Sequence, residues 1–209
     1  FILSMNKTKK PADRLIFHVD VNSAFLSWES VRRIKEGLPD LRDIPACIGG
    51  DPAKRTGIVV AKSIPAQKCG VQTGEPVAMA LRKCPNMVIV PSDFDLYVKC
   101  SRAFKKICAS YTPVMESFSI DEVFLDMTGT SLLYPDPIAA AQEIKDRISD
   151  ELGFTVNVGI STNKLLAKMA SDFEKPNKVH TLFPEEIPAK MWPLPVRELL
   201  FLGKASEKK

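Results

Sequence analysis

The positions of apolar and polar residues change period several times along the chain. RLIFHVD, residues 14–20, is a continuous apolar run that ends in an acid, as is typical of a buried central strand. A helical period follows it, and Asn22 or Ser23 stands where a residue could cap that helix. The apolar residues that share one face of this helix are Phe25, Trp28 and Val31. The segment GLPDLRDIP then ends the helix.

Residues 55–91 predict a small mixed α/β segment. The runs GIVVAK and MVIV have the composition of strands. Between them lie a short helix closed by Gly70 and a second helix near residues 77–84. The segment follows the first strand and helix, which indicates a subdomain inserted into a larger fold.

Three further helices, a hairpin and a strand complete the pattern. Residues 93–111 regain a helical period, the hairpin MESFSIDEVFLDM follows, and PDPIAAAQEIKDRISDEL begins a helix at its proline. The strand FTVNVGI leads into a last helix that ends before Lys175 and Pro176. The predicted buried residues are Phe94, Tyr97, Val98, Phe104, Ile107 and Cys108 in the first helix, Ile138, Ala141, Ile144, Ile148 and Leu152 in the second, and Leu166, Met169, Ala170 and Phe173 in the third.

The order of these elements predicts the fold class. Without the segment 55–91 it is β-α-α-β-β-α-β-α, whose core is the split unit β-α-β-β-α-β. The sequence therefore predicts an α+β fold, in which a ferredoxin-like sheet carries an inserted small α/β subdomain. In such a sheet the first strand and the central hairpin are neighbours.

Acidic residues stand where these two elements meet. Asp20 ends the first strand, and the hairpin carries Asp121 and Glu122 side by side. Alone, an Asp-Glu pair is usually a solvated turn, and an acid at a strand end is usually a helix cap. The topology brings all three together, however, and they repel one another unless divalent cations lie between them. Mg²⁺ takes such oxygen ligands, and two ions can clamp both oxygens of an in-line phosphoryl displacement.

Composition narrows the class of protein without fixing it. The 209 residues are 45% hydrophobic and 26% charged, which is ordinary for a globular chain of one domain or two small ones. The formal charge of +4 is compatible with an anionic partner such as nucleic acid but does not establish one. Five cysteines without a C-x-x-C pair indicate a reduced, intracellular chain. No apolar run approaches the ~20 residues of a membrane span.

Four motifs together resemble the Y-family translesion DNA polymerases, and the DNA polymerase IV branch looks nearest. They are FHVDVNSAFLSWE, GGDPAKRTGIVVA, SIDEVFLD and GISTNKLLAKMASDFEKPN, in this order and spacing. The resemblance covers nearly the whole chain from residue 14 onward. It implies template-directed addition of deoxynucleotides to a primer 3′-end during DNA damage bypass.

The resemblance also implies a division of the chain. Residues 1–23 and 93–182 would form the metal-holding palm, residues 24–92 the fingers, and residues 183–209 the start of a helical, helix-hairpin-helix thumb. The chain stops there, and we expect it to be a piece of a longer protein whose little-finger domain is absent. The implied partners are primer-template DNA and deoxynucleoside triphosphates, with a sliding-clamp contact only in the full-length parent. We expect a monomer in the bacterial cytoplasm, associated with the nucleoid and not with a membrane.

The catalytic and metal-binding residues follow from the resemblance by position. Asp20, Asp121 and Glu122 would be catalytic and would bind two Mg²⁺ ions, which Mn²⁺ could replace, together with the main-chain carbonyl of Val21. Asp121 would bridge both ions. Glu122 would hold the ion that lowers the pKa of the primer 3′-hydroxyl.

The nucleotide-binding residues follow in the same way. Phe25 matches the family's steric gate, where a flat ring against the sugar leaves no room for a 2′-hydroxyl. Without the resemblance, Phe25 would be interpreted as helix packing. N–H groups at a helix start suit a triphosphate, and Lys175 aligns with a family lysine on that group. The implied nucleotide-binding residues are Asn22, Ser23, Ala24, Phe25, Ala61, Ile64, Gln67 and Lys175.

The predicted fingers depart from the family pattern at IPAQ. Where the family usually has Tyr-Glu-Ala-Arg, Ile64 and Gln67 offer the triphosphate neither a phenol nor a guanidinium. We therefore expect a clamp that is weaker or built differently, and Arg55 is the first candidate for the missing cation.

Other charged residues favour simpler interpretations. Lys164 and Lys168 share a helix face, which is typically solvated, and contact with DNA phosphates is the alternative. Asp126 is interpreted as structural. His18 and His180 lack the spacing of metal ligands.

Two rival functions stay open. A nucleotidyl cyclase uses a related palm-like sheet with paired metals, although the long fingers insertion and KASEKK argue against it. A catalytically inactive split-βαβ module would only bind nucleic acid, although Phe25 and the three acids argue against that function.

Overall fold

The computed structural model describes residues 14–50, 57–200 and 202. The strands are β1 (Ile16–Val21), β2 (Ala46–Gly49), β3 (Val59–Lys62), β4 (Val88–Val90), β5 (Met115–Ser117), β6 (Glu122–Asp126), β7 (Val156–Ser161) and β8 (Val179–Thr181). The helices are α1 (Ala24–Lys35), α2 (Ile64–Lys68), α3 (Val77–Lys83), α4 (Phe94–Ala109), α5 (Pro137–Leu152), α6 (Lys164–Ser171) and α7 (Ile187–Lys190). No helix in these ranges is long and apolar enough to cross a membrane.

A five-stranded sheet in the order β5-β6-β1-β7-β8 forms the larger part of the fold. β1 lies between β6 and β7 and is antiparallel to both, which is the split βαβ arrangement. The predicted fold class is therefore confirmed. β8 was not predicted, since its three residues are too short to show a period, and it pairs parallel with β7.

A separate three-stranded sheet in the order β3-β2-β4 belongs to the inserted subdomain. It has a small apolar core of its own, which includes Val59, Ala66 and Val77. The prediction for residues 55–91 found β3, α2, α3 and β4, but its range began too late to include β2. The four residues ACIG are uniformly buried and carry no alternation that could reveal a strand.

The prediction of which helix residues are buried is only partly correct. Phe94 and Val98 in α4 are 61% and 39% exposed, and Ile138 in α5 is 55% exposed, although all three were predicted to be buried. Phe94 and Ile138 lie in the first turns of their helices. The helical period shows which side chains point toward the core. It does not show how far the packed surface extends along and around the helix, so residues at the edge of that surface remain exposed.

Helix α6 lies unusually close to β7 because of Gly159. A Cβ atom at this position would lie 1.9 Å from the carbonyl oxygen of Ala167 and 2.5 Å from the backbone nitrogen of Ser171. Asn163 begins α6, and its side-chain oxygen accepts a hydrogen bond from the Leu166 N–H at 2.9 Å. This packing brings Ser171 beside His18 of β1 and Lys168 beside Glu122 of β6.

Candidate active site

The three predicted acids lie at one end of the five-stranded sheet. Asp20 is directly opposite Glu122 in the pairing of β1 with β6. The backbone N–H of Val21 donates to the carbonyl oxygen of Asp121 at 3.0 Å. The proximity predicted from topology is therefore confirmed for the backbone.

The carboxylate of Asp20 is buried and forms an ion pair with Lys175. Burial raises the pKa of Asp20 above its ordinary value, although the Lys175 ammonium acts in the opposite direction. Lys175 also pairs with Asp172 at 2.9 Å. Burial disfavours the charge on Lys175, but its attraction to Asp20 and its hydrogen bonds raise the lysine pKa.

The carboxylate of Glu122 has two partners, the imidazole of His18 and the ammonium of Lys168. Its Oε2 atom lies 2.9 Å from His18 Nε2 and 2.6 Å from Lys168 Nζ. Burial alone would raise the pKa of Glu122, but the hydrogen bonds from His18 and Lys168 lower it to about 2. His18 is in turn fixed by Ser171, whose Oγ lies 2.8 Å from Nδ1. Glu122 is therefore held anionic and in a defined position.

His18 is a site residue that the sequence interpretation missed. It is fully buried, and it contacts Glu122 directly. The sequence contains a signal for this contact. His18 precedes Asp20 by two residues on a strand, so both side chains lie on one face of β1.

The two lysines of α6 have different surroundings. The side chain of Lys168 is only 11% exposed and is paired with Glu122, so its interpretation as a solvated residue is wrong, while its contact with DNA stays a prediction. Lys164 pairs with Glu116 on the surface and lies 5.7 Å from the centre of the Phe124 ring. Its predicted contact with DNA stays a prediction.

Asp121 has a neutral hydrogen-bond partner, unlike the other two acids. Its Oδ1 atom accepts a hydrogen bond of 2.6 Å from the Ser119 hydroxyl. Among the residues that the structure describes, no three His, Cys, Asp or Glu side chains are gathered as a set that could hold a metal ion. Lys175, Lys168 and His18 already compensate Asp20 and Glu122, so the charges of these two acids do not by themselves require cations between them, and metal binding by the three acids stays a prediction.

Two adjoining clefts lie between these acids and the inserted subdomain. We name the first the basic cleft; it has a volume of about 260 Å³ and is lined by Asn22, Ser23, Arg42, Lys62, Ile64 and Lys175, among others. We name the second the aromatic cleft; it has a volume of about 330 Å³, and its lining includes Ser23, Ala24, Phe25, Ala61, Lys62, Gln67 and Asp121. All the predicted nucleotide-binding residues therefore line one cleft or the other.

Phe25 packs against neighbouring aromatic rings and also lines the aromatic cleft. Its ring stacks on Tyr97 with 4.6 Å between centroids and meets Trp28 edge-on at 5.8 Å. The ring is half-buried, and it lines the aromatic cleft together with Asp121. Packing and a contact with a sugar are therefore compatible for this residue.

The start of α1 is constrained. Ser23 stands at the N-cap with a positive φ of 46°, and its side chain makes no capping hydrogen bond. A non-glycine residue in this conformation is strained by roughly 1–2 kcal/mol, and such strain is often found at functional sites. Asn22 is not a cap either, since its side chain bonds Thr155 at 3.0 Å and the Asn177 N–H at 2.9 Å.

The backbone N–H of Asn22 is also engaged, because it donates to the Thr155 carbonyl at 2.9 Å. The prediction that this N–H binds a triphosphate is therefore not supported. The N–H groups of Ser23, Ala24 and Phe25 remain as the predicted donors at the helix start.

The IPAQ segment forms the first residues of α2. Ser63 caps this helix by accepting a hydrogen bond of 3.1 Å from the Ala66 N–H. Ile64 is 61% exposed and lines the basic cleft, and Gln67 lines the aromatic cleft. Arg55, the predicted substitute cation, lies outside the described residues.

Comparison with known proteins identifies relatives of the whole described fold. The model of the impB/mucB/samB family matches residues 19–172. DNA polymerase IV of Clostridium acetobutylicum is 52% identical over 197 residues, which cover 94% of this chain and 50% of that protein. DNA polymerase IV of Acetivibrio thermocellus is 41% identical over 196 residues, which cover 94% of this chain and 48% of that protein. The chain thus spans about half the length of the curated relatives it matches.

Solved structures agree with the sequence comparison. DinB from Sulfolobus solfataricus superposes with a TM-score of 0.82 at 26% identity, over 93% of this chain and 55% of that one. A Y-family DNA polymerase chimera of Dbh and Dpo4 superposes with a TM-score of 0.81 at 27% identity, over 90% of this chain and 54% of that one. With a family match over most of its length, this chain belongs to the impB/mucB/samB family, among the Y-family DNA polymerases.

Proposed function

We propose that the chain is the catalytic part of a template-directed DNA polymerase of the translesion type, which adds deoxynucleotides to a primer 3′-end. The observation that carries this proposal is the pairing of Asp20 with Glu122 and of Val21 with Asp121. It gathers the acids of two distant motifs at one sheet end, beside a cleft lined by Phe25. The relatives named DNA polymerase IV support the same reaction.

The acids would hold two Mg²⁺ ions, which Mn²⁺ could replace, through the carboxylates of Asp20, Asp121 and Glu122 and the carbonyl of Val21. This donor set fits, because hard divalent cations prefer oxygen ligands and carboxylates above all. Bound ions would stabilise charge on the attacking and leaving oxygens of an in-line phosphoryl displacement. Asp121 and Glu122 would hold these ions with Asp20, and the chemistry the ions would supply is a lower pKa of the primer 3′-hydroxyl and neutralisation of the triphosphate charge.

The neighbouring side chains prepare the acids for this task. His18 and Lys168 keep Glu122 anionic, so no proton has to leave before it can act as a ligand. Lys175 compensates the charge of Asp20 and also lines the basic cleft. A triphosphate in that cleft would offer Lys175 a second anionic partner besides Asp20, and a shift of the lysine to it would leave the Asp20 carboxylate available as a ligand.

The nucleotide would occupy both clefts. Its sugar is proposed to lie against Phe25, whose ring would exclude a 2′-hydroxyl, close to Ala61 and Gln67. Its triphosphate would lie near the N–H groups at the start of α1, beside Ile64 and toward Lys175. Asn22 is assigned a positioning role, because its side chain ties the turn before α1 to the loop at Asn177.

The proposal extends to the organisation of the chain. Residues 1–23 and 93–182 would be the palm, residues 24–92 the fingers and residues 183–209 the start of the thumb. Primer-template DNA is the proposed partner, and the solved insertion ternary complex of Dbh DNA polymerase supports this by similarity. A sliding clamp would bind only a longer protein, and the active form would be a monomer at the bacterial nucleoid, in the cytoplasm.

A primer-extension assay tests the proposed reaction. The expected result is addition of the nucleotide complementary to the templating base, which changes when the template base is changed. A cyclic-nucleotide assay on the same preparation tests the rival cyclase activity. Calorimetric titration with Mg²⁺ tests the inactive binding module, which would bind DNA but show no metal binding that depends on the three acids.

A further inference from the structure

Lys62 occupies the junction between the two clefts. It is the last residue of β3, and it lines both the basic cleft and the aromatic cleft. Ser23, the strained residue at the start of α1, lines both clefts as well. Ser23 and Lys62 are therefore the residues common to both clefts, and a ligand that occupied both would lie near them.

The cations that line the clefts differ in how far they are already neutralised. Arg42 makes three hydrogen bonds to the carboxylate of Asp40, the shortest of 2.7 Å. Lys175 is paired with two carboxylates, Asp20 and Asp172. Both cations would have to exchange an existing carboxylate partner in order to bind another anion.

Lys62 has no such partner among the residues described. Its ammonium donates to the neutral Thr73 hydroxyl at 3.2 Å, and no carboxylate in the described ranges lies within 4.0 Å of it. The nearby acid Glu75 is paired with Lys83 at 2.5 Å instead. Of the lining cations Arg42, Lys62 and Lys175, Lys62 is therefore the one that forms no ion pair with a described residue, although its charge contributes to lowering the pKa of Glu75.

We infer that Lys62 binds the triphosphate of the incoming nucleotide and is a substrate-binding residue for the reaction. The inference rests on the proposed function and assigns a residue that the sequence interpretation did not consider. With Lys62 as the cation, the site does not need a charged residue at position 64 or 67. Ile64 lines the basic cleft and Gln67 lines the aromatic cleft, and neither carries a charge. The cation is supplied from the end of β3 and not from α2.

Equilibrium binding of dATP and dAMP to the 209-residue chain in Mg²⁺ tests the inference. Lys62→Ala should weaken dATP binding by about tenfold, because a charge-assisted hydrogen bond is lost, and should change dAMP binding by less than about twofold. Lys62→Arg should restore most of the affinity. Lys68→Ala is the matched control, since it removes an exposed lysine from α2 that lines neither cleft, and it should bind both nucleotides like the wild type.

Several outcomes would overturn the inference. An unchanged dATP affinity in Lys62→Ala, or an equal loss for dAMP, excludes a specific contact with the triphosphate. A loss of primer-template affinity with unchanged dATP binding assigns Lys62 to the DNA backbone instead. Circular dichroism checks that each variant is folded, and Lys62→Arg provides a second, conservative comparison.

Primer extension by the wild-type chain separates this inference from the proposed function. If the chain extends primers while Lys62→Ala binds dATP normally, the inference is wrong and the function stands. If dATP binding depends on Lys62 but no template-directed addition occurs, the nucleotide site stands and the proposed polymerase function is wrong.

Discussion

Replacement of Gly159 by alanine tests the packing that positions the site. Gly159 lies on β7 opposite His18, and α6 crosses directly above it. The added Cβ would lie 1.9 Å from the Ala167 carbonyl oxygen and 2.5 Å from the Ser171 nitrogen. Both neighbours are backbone atoms of a helix, so no side chain can rotate away to relieve the overlap.

The size of the effect follows from these distances. To restore ordinary contact at 3.4 Å, α6 would have to move by about 1.5 Å away from β7. Such overpacking costs typically about 1–3 kcal/mol, which here should appear as a lower free energy of unfolding. The same movement would break the 2.6 Å bond from Lys168 to Glu122, since N–H···O hydrogen bonds in proteins extend to about 3.2 Å.

Urea unfolding followed by circular dichroism measures this effect. Gly129→Ala is the matched control, because a Cβ there meets no atom within 4 Å, and it should change stability by less than about 0.5 kcal/mol. An unfolding midpoint for Gly159→Ala equal to that of the wild type would refute the close packing of α6 on β7. It would also remove the structural basis for the contacts of Lys168.

Further predictions concern the gate, the acid network and DNA. Phe25→Ala should raise kcat/KM for ribonucleotides relative to deoxynucleotides, because the ring that would exclude a 2′-hydroxyl is removed. An unchanged ratio of the two kcat/KM values would mean that Phe25 only packs against its neighbours. Because Glu122 has a pKa of about 2 in the folded chain against an ordinary 4.5, its contribution to stability should be full above pH 4.5 and be lost as the pH drops toward 2, whereas Asp20, whose pKa is raised, contributes in the opposite direction. Lys168→Met should raise the pKa of Glu122 and reduce this loss, as urea unfolding at several pH values can check; an identical pH dependence would contradict the role of Lys168. The 209-residue chain should bind primer-template weakly and with little sequence preference, since non-specific affinity depends on contacts between cations and phosphates and the net charge is only +4; tight binding at physiological salt would oppose this.

Local patterns predicted the main sheet well. The apolar run of β1, the hairpin and the strand β7 all formed where their periods indicated, and their order was sufficient to place Asp20 beside Glu122. Short elements were not predictable in the same way. β2 and β8 have four and three residues, and they form strands only because the sheets offer them partners.

The electrostatics of the site could not be predicted from local sequence. Asp20 and Lys175 are 155 positions apart, and Glu122 and Lys168 are 46 positions apart, so no local period connects them. The sequence therefore suggested repulsion between the acids, whereas the fold gives both Asp20 and Glu122 a lysine partner. Sequence similarity located Lys175 and Phe25, but it gave no indication of the contact between His18 and Glu122.

The central claim is that the acids of β1 and β6 catalyse nucleotide addition with Mg²⁺. The most direct measurement is single-turnover primer extension with the chain in excess over primer-template, which compensates for weak DNA binding, by the wild type, Asp121→Asn and Glu122→Gln. Ser117→Ala, an exposed change on the neighbouring strand β5, serves as the control. The account predicts Mg²⁺-dependent addition of the templated nucleotide by the wild type and the control, and none by the two folded acid variants. Templated addition that persists in Asp121→Asn or Glu122→Gln with unchanged Mg²⁺ dependence, or its absence in the wild type, would contradict the account.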